Sequence, residues 1–284
     1  MGVAHRRGKR RGMLGTSAQA LEAPSTLCSV FIPSCDAYAD LWKPFFTLFW
    51  RYWPDCPFPV YLGANRLRYD DPRVVSVASA PGRNWADQAR EQIGALPTPY
   101  VLLVLEDFFW RRPTRTTEVL ALFAALRGLE GAMLRLTNRP PPDEPVLGQP
   151  GIGRIRPGAP YRASTQATIW HKATLLELMG SGESIWDFEV AGSRRSDRWV
   201  DGFYCTWRQV LPYGYHVVQK GKWFRHEARR FRRMGIGCDF SARPVMTRRE
   251  ALKARVEGMK SWLLHRVPWP ARLRLQALAQ RLGI

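Results

Sequence analysis

Two adjacent carboxylates, Glu106 and Asp107, directly follow the apolar run Tyr100–Leu105 (YVLLVL). Such a run is typical of a central parallel strand that is buried on both faces. Ligands of open α/β sheets bind beyond the carboxyl ends of the strands, and neighbouring carboxylates repel each other unless a cation or hydrogen-bond donors compensate them. We therefore expect Mg²⁺ or Mn²⁺ bridging this pair to a diphosphate. The alternative is that Asp107 caps a turn and Glu106 pairs with an arginine.

The segments around this pair alternate between strand-like and helix-like patterns. Apolar, β-branched runs predict strands over 27–32, 58–62, 74–77, 100–105, 132–136 and 164–170, and three-to-four spacing predicts helices over 40–53, 84–96, 117–127 and 172–179. Asn84 and Asp87 have the spacing of a helix-capping box. Residues 137–162, rich in Pro and Gly, are expected to form a long loop. The order predicts an α/β fold, a doubly wound and mainly parallel sheet with helices on both faces.

Composition supports a globular protein with a large core. The chain has 284 residues, of which 45% are hydrophobic, enough for one α/β domain with appendages. No apolar run reaches the roughly 18–20 residues that span a bilayer. The basic start of the chain is not followed by the apolar stretch of a secretory signal, although a transit peptide stays open. The five cysteines contain no C-x-x-C pair, which predicts free thiols in a reducing compartment.

The formal net charge of +19 is concentrated at the two ends of the chain. Residues 1–24 are expected to form a flexible basic arm, 25–240 the catalytic domain and 241–284 a basic helical tail. Trp262, Leu263 and Trp269 lie among Arg266, Arg272 and Arg274 in that tail. This mixture suits the headgroup boundary of an anionic membrane, and the alternative is a solvated helix packed on the domain.

Three stretches resemble GT-A-type glycosyltransferases. VLLVLEDFFW, preceded by NWADQAREQIGAL, is similar to the strand and D-x-D-type motif of that family, and LCSVFIPSCDAY to its first strand and nucleotide-contacting loop. RASTQATIWHKATLLELMGSGESIWDFEVAGS resembles the acceptor-side half of small bacterial polysaccharide-type members. The resemblance covers roughly residues 27–225. It implies a GT-A-like fold and transfer of a sugar from a nucleotide-diphosphate sugar to a glycan or lipid-linked acceptor.

The resemblance also implies roles for residues on the donor side. Asp107 would be the metal ligand, Glu106 would contact the ribose or the metal shell, and Ser34 and Asp36 would lie near the base and ribose. The usual family motif is D-x-D, whereas this chain has Glu-Asp. Some members of the fold neutralise the diphosphate with basic side chains, for which the candidates are Lys220, Lys222 and Arg225.

The segment Trp186–Glu189 (WDFE) carries the other implied role. An inverting transferase needs a carboxylate base within hydrogen-bond reach of the acceptor hydroxyl, and the resemblance implies that this segment supplies it. Ser184 and Asp187 have capping-box spacing, which gives Asp187 a structural explanation. Glu189 has none, so we favour Glu189 as the base with Asp187 second. The alternative for both is a solvated helix face.

Other tempting features are weaker. His171, His216, His226 and His265 show no metal-ligand spacing, and Gly151-x-Gly153 lacks the rest of a dinucleotide fingerprint. The expected location is cytoplasmic, at the inner face of a membrane if peripheral. Two other hypotheses stay open: a basic nucleic-acid-binding protein, which lacks a recognised motif, and an inactive GT-A-fold scaffold.

Overall fold

A computed structural model describes residues 22–256, and its first strand forms where the apolar run after Pro24 predicts it. The strand β1 (Cys28–Ile32) is buried at all five positions. It lies between two parallel neighbours, β2 (Val60–Ala64) and β4 (Tyr100–Leu103), with Val30 opposite Val60 and Leu102. A strand enclosed on both edges and both faces can tolerate only apolar or small side chains, which explains its sequence.

The remaining strands extend this sheet to nine members. They are β3 (Val74–Ala78), β5 (Met133–Arg135), β6 (Glu144–Val146), β7 (Gln149–Arg154), β8 (Thr168–His171) and β9 (Phe203–Thr206), and the spatial order is β3-β2-β1-β4-β8-β5-β9-β7-β6. The pairings make β7 and β8 run opposite to the other seven strands. The mainly parallel sheet of an α/β fold is thus confirmed. A separate two-stranded hairpin joins β10 (Val218–Gln219) to β11 (Lys222–Trp223).

The helices around the sheet match most of the expected segments. They are α1 (Pro24–Leu27), α2 (Ala39–Tyr52), α3 (Trp85–Gly94), α4 (Thr116–Gly128), α5 (Lys172–Leu178), α6 (Ile185–Asp187), α7 (Ser193–Ser196) and α8 (Arg225–Arg233), with a 3₁₀ turn at Asp36–Tyr38 and a π-helical turn at Phe188–Gly192. Asn84 caps α3 as predicted, because its side chain accepts the Asp87 amide at 3.0 Å.

An aromatic core lies between α2 and the segment after β4. The rings of Phe45, Phe49 and Trp53 are all fully buried, and Trp110 packs against each of them at centroid distances of 4.9–6.4 Å. The indole N–H of Trp53 donates to the Thr116 hydroxyl at 2.9 Å, so the buried ring keeps a hydrogen-bond partner. This packing fixes the direction in which the chain leaves β4.

The expectation of a long loop over 137–162 is wrong in its central part. Residues 144–154 instead form the β6–β7 hairpin, and β7 pairs antiparallel with β9 to extend the sheet. Gly148 adopts φ +75° at the turn, a conformation that glycine reaches without strain. Pro145 is tolerated because β6 is an edge strand. Pro150, Gly151 and Gly153 lie in β7, whose pairing with β6 contains a register shift.

Two of the expected segments lie mainly outside the described residues. The basic arm is described only at its end, where α1 begins at Pro24. The tail is described to residue 256, with a helix over 248–256, and the aromatic and basic residues beyond it fall outside. Within residues 22–256, no helix is both long and apolar enough to cross a membrane.

Gly63→Ala should destabilise the protein by about 1–3 kcal/mol, as overpacking does. A Cβ at position 63 would lie 2.4 Å from Gln92 Oε1 and 3.0 Å from the Ser34 nitrogen. Gln92 is buried and its amide donates to Ala64 and Ser79, so it cannot move away freely. Urea unfolding measures the change. Gly94→Ala, where nothing lies within 4 Å, is the control, and an equal loss in both variants would contradict this packing.

Candidate active site

The carboxylate pair emerges where the strand pattern predicts it. The amide of Val104 donates to the Phe31 carbonyl at 3.0 Å, which extends the β1–β4 pairing by one residue. A turn then closes from Phe108 N to Leu105 O at 3.1 Å. Glu106 and Asp107 occupy this turn, at the carboxyl end of β4 and beside the loop that follows β1. The edge where ligands of open α/β sheets bind therefore carries two carboxylates.

Asp107 is paired with a histidine that lies far away in the sequence. Its Oδ2 is 2.9 Å from Nδ1 of His216, across 109 positions of chain. The Asp107 carbonyl also accepts the Val217 amide at 3.0 Å, which holds the two segments together. His216 has φ +42°, in the left-handed region that costs a non-glycine residue about 1–3 kcal/mol. The surrounding contacts keep the imidazole on Asp107 despite that cost.

The protonation of His216 follows from its neighbours. Burial alone would lower the pKa of the imidazole, but the hydrogen bond and negative charge of Asp107, together with the charge of Glu189, raise it above its ordinary value. Glu189 lies at the same edge, because it is bonded to Thr165 just before β8, and β8 runs antiparallel to β4 with Thr168 opposite Leu103. Sequence analysis set His216 aside because spacing along the chain cannot reveal a contact over such a separation.

Glu106 carries the most perturbed carboxyl group of this edge. Burial is the main cause, and the negative charge of Asp107 adds to it, so that the pKa of Glu106 rises to about 8 while the charge of Arg243 opposes the shift. Arg243 itself forms two hydrogen bonds to Asp40, at 2.9 and 3.0 Å, and its guanidinium lies 4.8 Å over the Tyr38 ring. It is a basic neighbour that sequence analysis did not single out.

Glu189 is buried and held by the segment that precedes β8. Its Oε1 accepts hydrogen bonds from the Thr165 amide at 2.8 Å, the Thr165 hydroxyl at 2.9 Å and the Ser164 hydroxyl at 3.2 Å. Across the described residues, no donor contacts Oε2, so one oxygen is anchored and the other can accept a proton. Glu189 also lies in the π-helical turn Phe188–Gly192, an irregularity that often marks functional sites.

Asp187 forms the capping box that was weighed against a catalytic role. Its Oδ2 accepts the Ser184 hydroxyl at 2.7 Å and the Ser184 amide at 3.1 Å, while the Asp187 amide donates to Ser184 Oγ at 3.2 Å. The side chain is exposed. The structure therefore gives Asp187 a helix-capping contact, and its role as second candidate base stays a prediction.

Ser34 and Asp36 lie in the loop after β1, where nucleotide contacts were predicted. Ser34 Oγ accepts the indole N–H of Trp42 at 2.9 Å. The Asp36 carboxylate accepts the amides of Asn65 at 2.8 Å and Arg66 at 3.0 Å, and that of Leu67 at 3.3 Å. Asp36 thus fastens the loop after β1 to the loop after β2. Its contact with a nucleotide, like that of Ser34, stays a prediction.

The basic candidates for the diphosphate lie on the β10–β11 hairpin and its continuation. Lys222 forms an ion pair with Glu250 at 2.5 Å, which occupies the charge that was expected to meet a phosphate. Lys220 stands in the hairpin turn with φ +49°, and Arg225 opens α8. The hairpin is joined to the carboxylate edge through Val217, whose amide donates to the Asp107 carbonyl at 3.0 Å.

A resident metal would have few side chains to bind. Within residues 22–256, no group of three or more His, Cys, Asp or Glu side chains is arranged to hold a metal ion. Asp107 and His216 offer one carboxylate and one imidazole, and Glu106 is adjacent. Mg²⁺ is commonly held by one or two carboxylates together with substrate phosphates and water. The residues present therefore fit a cation that arrives with a diphosphate better than one held by the protein alone.

Two open clefts are lined by residues other than Glu106, Asp107 and Glu189. One, of about 560 Å³, is bounded by Arg83, Arg90, Leu176 and Ser181. The other, of about 540 Å³, is bounded by Tyr100, His171, Trp199 and Tyr204 near the amino end of β4. Neither contains the carboxylates. We place the candidate site at the opposite, carboxyl end of β4 because that is where the interacting titratable groups converge.

Comparison with known proteins shows a likeness at the level of the fold. No family model matches the chain, and no curated protein matches its sequence. Among solved structures, residues 1–349 of S. aureus TarS share 10% identity over 66% of this chain and 59% of that one, with a TM-score of 0.38. The same TarS fragment in complex with UDP-GlcNAc gives 12% identity over 53% and 47% of the two chains, with a TM-score of 0.36.

A nucleotidyltransferase is also among these neighbours. The 2-C-methyl-D-erythritol 4-phosphate cytidylyltransferase of Thermus thermophilus shares 11% identity over 68% of this chain and 94% of that one, with a TM-score of 0.41. The two alignments cover 59% and 47% of the TarS fragment, which is less than two thirds of its length in each case. All of these TM-scores lie below 0.5. The fold is therefore argued from the strand order and pairing of the chain itself.

Glu106→Gln should make stability less dependent on pH. An ordinary glutamate loses its proton near pH 4.5, whereas the folded protein holds the Glu106 proton to about pH 8. Between these values the folded state binds more protons than the unfolded state, so stability falls as pH rises. Urea unfolding across this interval, in chelator-treated buffer, should show a steeper fall for the wild type than for the variant. Parallel curves would contradict the burial of this carboxyl group.

Proposed function

We propose that this protein is a glycosyltransferase that uses a nucleotide-diphosphate sugar as donor. The observation that carries the proposal is the convergence of Asp107, His216 and Glu189 beside Glu106 at the carboxyl end of β4. Three carboxylates and an imidazole at this edge of an α/β sheet can bind a cation-bound diphosphate and accept a proton. Sugar transfer from such a donor needs both operations.

On the donor side, we propose that Asp107, with Glu106 beside it, would hold Mg²⁺ or Mn²⁺ at the diphosphate, while His216 orients the Asp107 carboxylate. A bound cation would supply neutralisation of the charge that develops on the leaving diphosphate. Ser34 and the Asp36 carboxylate, which joins the loops after β1 and β2, border the position proposed for the nucleoside. Lys220 and Arg225, in the hairpin and helix that follow His216, would add positive charge that favours an anionic donor.

On the acceptor side, we propose that Glu189 removes the proton of the attacking hydroxyl. Oε1 is held by Thr165 and Ser164, and Oε2 is left to meet the hydroxyl. Trp186, close to Glu189 in the chain, is 67% exposed and offers a flat surface for a sugar ring. The proposed acceptor is a glycan or lipid-linked hydroxyl, and the proposed setting is the cytoplasmic side of an anionic membrane.

Thermal unfolding against nucleotides tests the donor site. We expect UDP, GDP or a related nucleotide sugar to raise Tm by several degrees in the presence of Mn²⁺ or Mg²⁺, since ligand at about 100 times Kd stabilises by about 2.7 kcal/mol. Asp107→Asn should abolish the rise. Asp55→Asn is the matched control, an exposed carboxylate beside Cys56.

The pattern of these shifts separates the alternatives. A rise that needs no metal would move the diphosphate contacts to Lys220 and Arg225. An absence of any nucleotide effect, together with stabilisation by oligonucleotides, would replace the proposal with the nucleic-acid hypothesis.

Release of nucleoside diphosphate from the donor tests the base. Glu189→Gln should lower turnover by about 10²–10⁴-fold, the usual contribution of a general base, while leaving the nucleotide-induced rise in Tm intact. Asp187→Asn removes the same charge two residues away and is expected to change turnover little, because its oxygen can still cap the helix. A loss confined to Asp187→Asn would transfer the role to that residue, and a wild type that binds nucleotide without turnover would indicate an inactive scaffold.

A further inference from the structure

Helix α8 (Arg225–Arg233) has one buried face and one strongly basic face. Glu227, Ala228 and Phe231 point inward and are buried. Arg229, Arg232 and Arg233 are exposed. The helix therefore exposes three arginines, of which Arg232 also lies 4.3 Å over the Phe240 ring, while its apolar side packs against the domain.

The acids near α8 do not neutralise these three arginines. Glu227 is paired with Arg111 and lies 3.2 Å from His226 and 3.6 Å from Arg230. Over residues 22–256, no carboxylate forms an ion pair with Arg229, Arg232 or Arg233. The outward charge of the helix is thus available to an external anion.

A second basic helix follows at 248–256. Arg248, Arg249 and Lys253 are exposed there and have no carboxylate partner in the described part of the chain. Its one acid, Glu250, is occupied by Lys222 and by the amide of Thr247 at 2.8 Å. Leu252 lies between these cations in the sequence. Its side chain is 64% exposed, so packing against the domain does not account for an apolar residue at this position.

Both helices are attached to one buried residue, Trp223. Its ring packs on Phe231 of α8 at 5.9 Å and on Phe240 at 5.5 Å. Its main chain bonds to Pro244 at 2.9 Å and to Met246 at 3.0 Å, just before the second helix. The two basic helices are therefore held on neighbouring parts of the same support.

We propose that Arg229, Arg232, Arg233, Arg248, Arg249 and Lys253 form a basic surface that docks on an anionic lipid bilayer. Clusters of four to eight Lys and Arg recognise anionic headgroups, and an apolar side chain among cations suits the boundary between headgroups and acyl chains. A nucleic acid would meet the charges equally well, but it would gain little from Leu252. This surface is distinct from the aromatic tail beyond residue 256.

The same packing connects the basic surface to the carboxylate edge. Phe231 of α8 contacts Phe109 at 5.2 Å, and Phe109 is two residues from Asp107. Docking through α8 would hold the site close to the membrane, where a lipid-linked acceptor is presented. This connection to an acceptor rests on the proposed function, whereas the lipid-binding surface does not.

Vesicle co-sedimentation of the full chain tests the surface. The wild type should bind phosphatidylcholine vesicles that contain phosphatidylglycerol, bind pure phosphatidylcholine weakly, and lose binding as salt rises. The triple variant R229Q/R232Q/R233Q should bind the anionic vesicles about a hundredfold less well, since each basic side chain near such a surface contributes about a factor of five. Glutamine has a helix propensity similar to arginine, so α8 should persist.

The control removes the same charge elsewhere. The variant R51Q/R115Q/R194Q changes three exposed arginines outside both helices and should bind anionic vesicles as the wild type does. Equal losses in the two triple variants, or none in R229Q/R232Q/R233Q, would overturn the proposal. Leu252→Gln should weaken vesicle binding but not retention on heparin, and a mixed-sequence RNA bound more tightly than vesicles would reassign the surface to nucleic acid.

The proposed function can fail without affecting this result. The nucleotide-induced rise in Tm reports on the carboxylate edge and should be the same in R229Q/R232Q/R233Q as in the wild type. Vesicle binding without any nucleotide effect would leave the surface and reject the transferase. A nucleotide effect without vesicle binding would support the transferase and reject the lipid-binding surface.

Discussion

The pairing of β1 with β4 is the constraint on which the rest of the structure depends. Residues 28–31 lie opposite 100–103 in parallel register, and Val104 adds one more bond to Phe31. Because the two strands are buried, their register is strongly specified, and a slip by one residue would reverse which side chains face each layer. That register decides where Glu106 and Asp107 leave the sheet. The chain from 212 to 217 then docks along 107–111, which brings His216 to Asp107.

Three carboxyl groups can lie at this edge because each has a different environment. Asp107 is balanced by an imidazole, Glu189 by three donors on one oxygen, and Glu106 by keeping its proton near neutral pH. Three equally charged carboxylates would repel one another in such surroundings. The differences between them are what one expects of a site in which neighbouring groups perform different tasks.

The sequence predicted the local part of this arrangement and missed the distant part. The strands up to β5, the helices α2 to α5, the Asn84 cap and the position of Glu106 and Asp107 follow from periodicity and from short-range hydrogen bonding, which a single sequence contains. His216 bonds to Asp107 across 109 positions and Arg243 bonds to Asp40 across 203, and no spacing rule predicts such contacts. The β6–β7 hairpin was missed because an edge strand and its irregularly paired neighbour contain the same Pro and Gly that mark a loop.

The hydrogen bonds of Asp36 that join the loops after β1 and β2 have a consequence for the thermodynamics of binding. Its carboxylate holds three successive amides of the neighbouring loop, and Asn65 continues the connection to Gln88 at 2.8 Å. These two loops are therefore ordered before any ligand arrives. Little conformational entropy remains to be lost when a nucleotide binds against them. Because the loops do not fold on binding, the heat-capacity change of association would come from the apolar surface that the ligand covers.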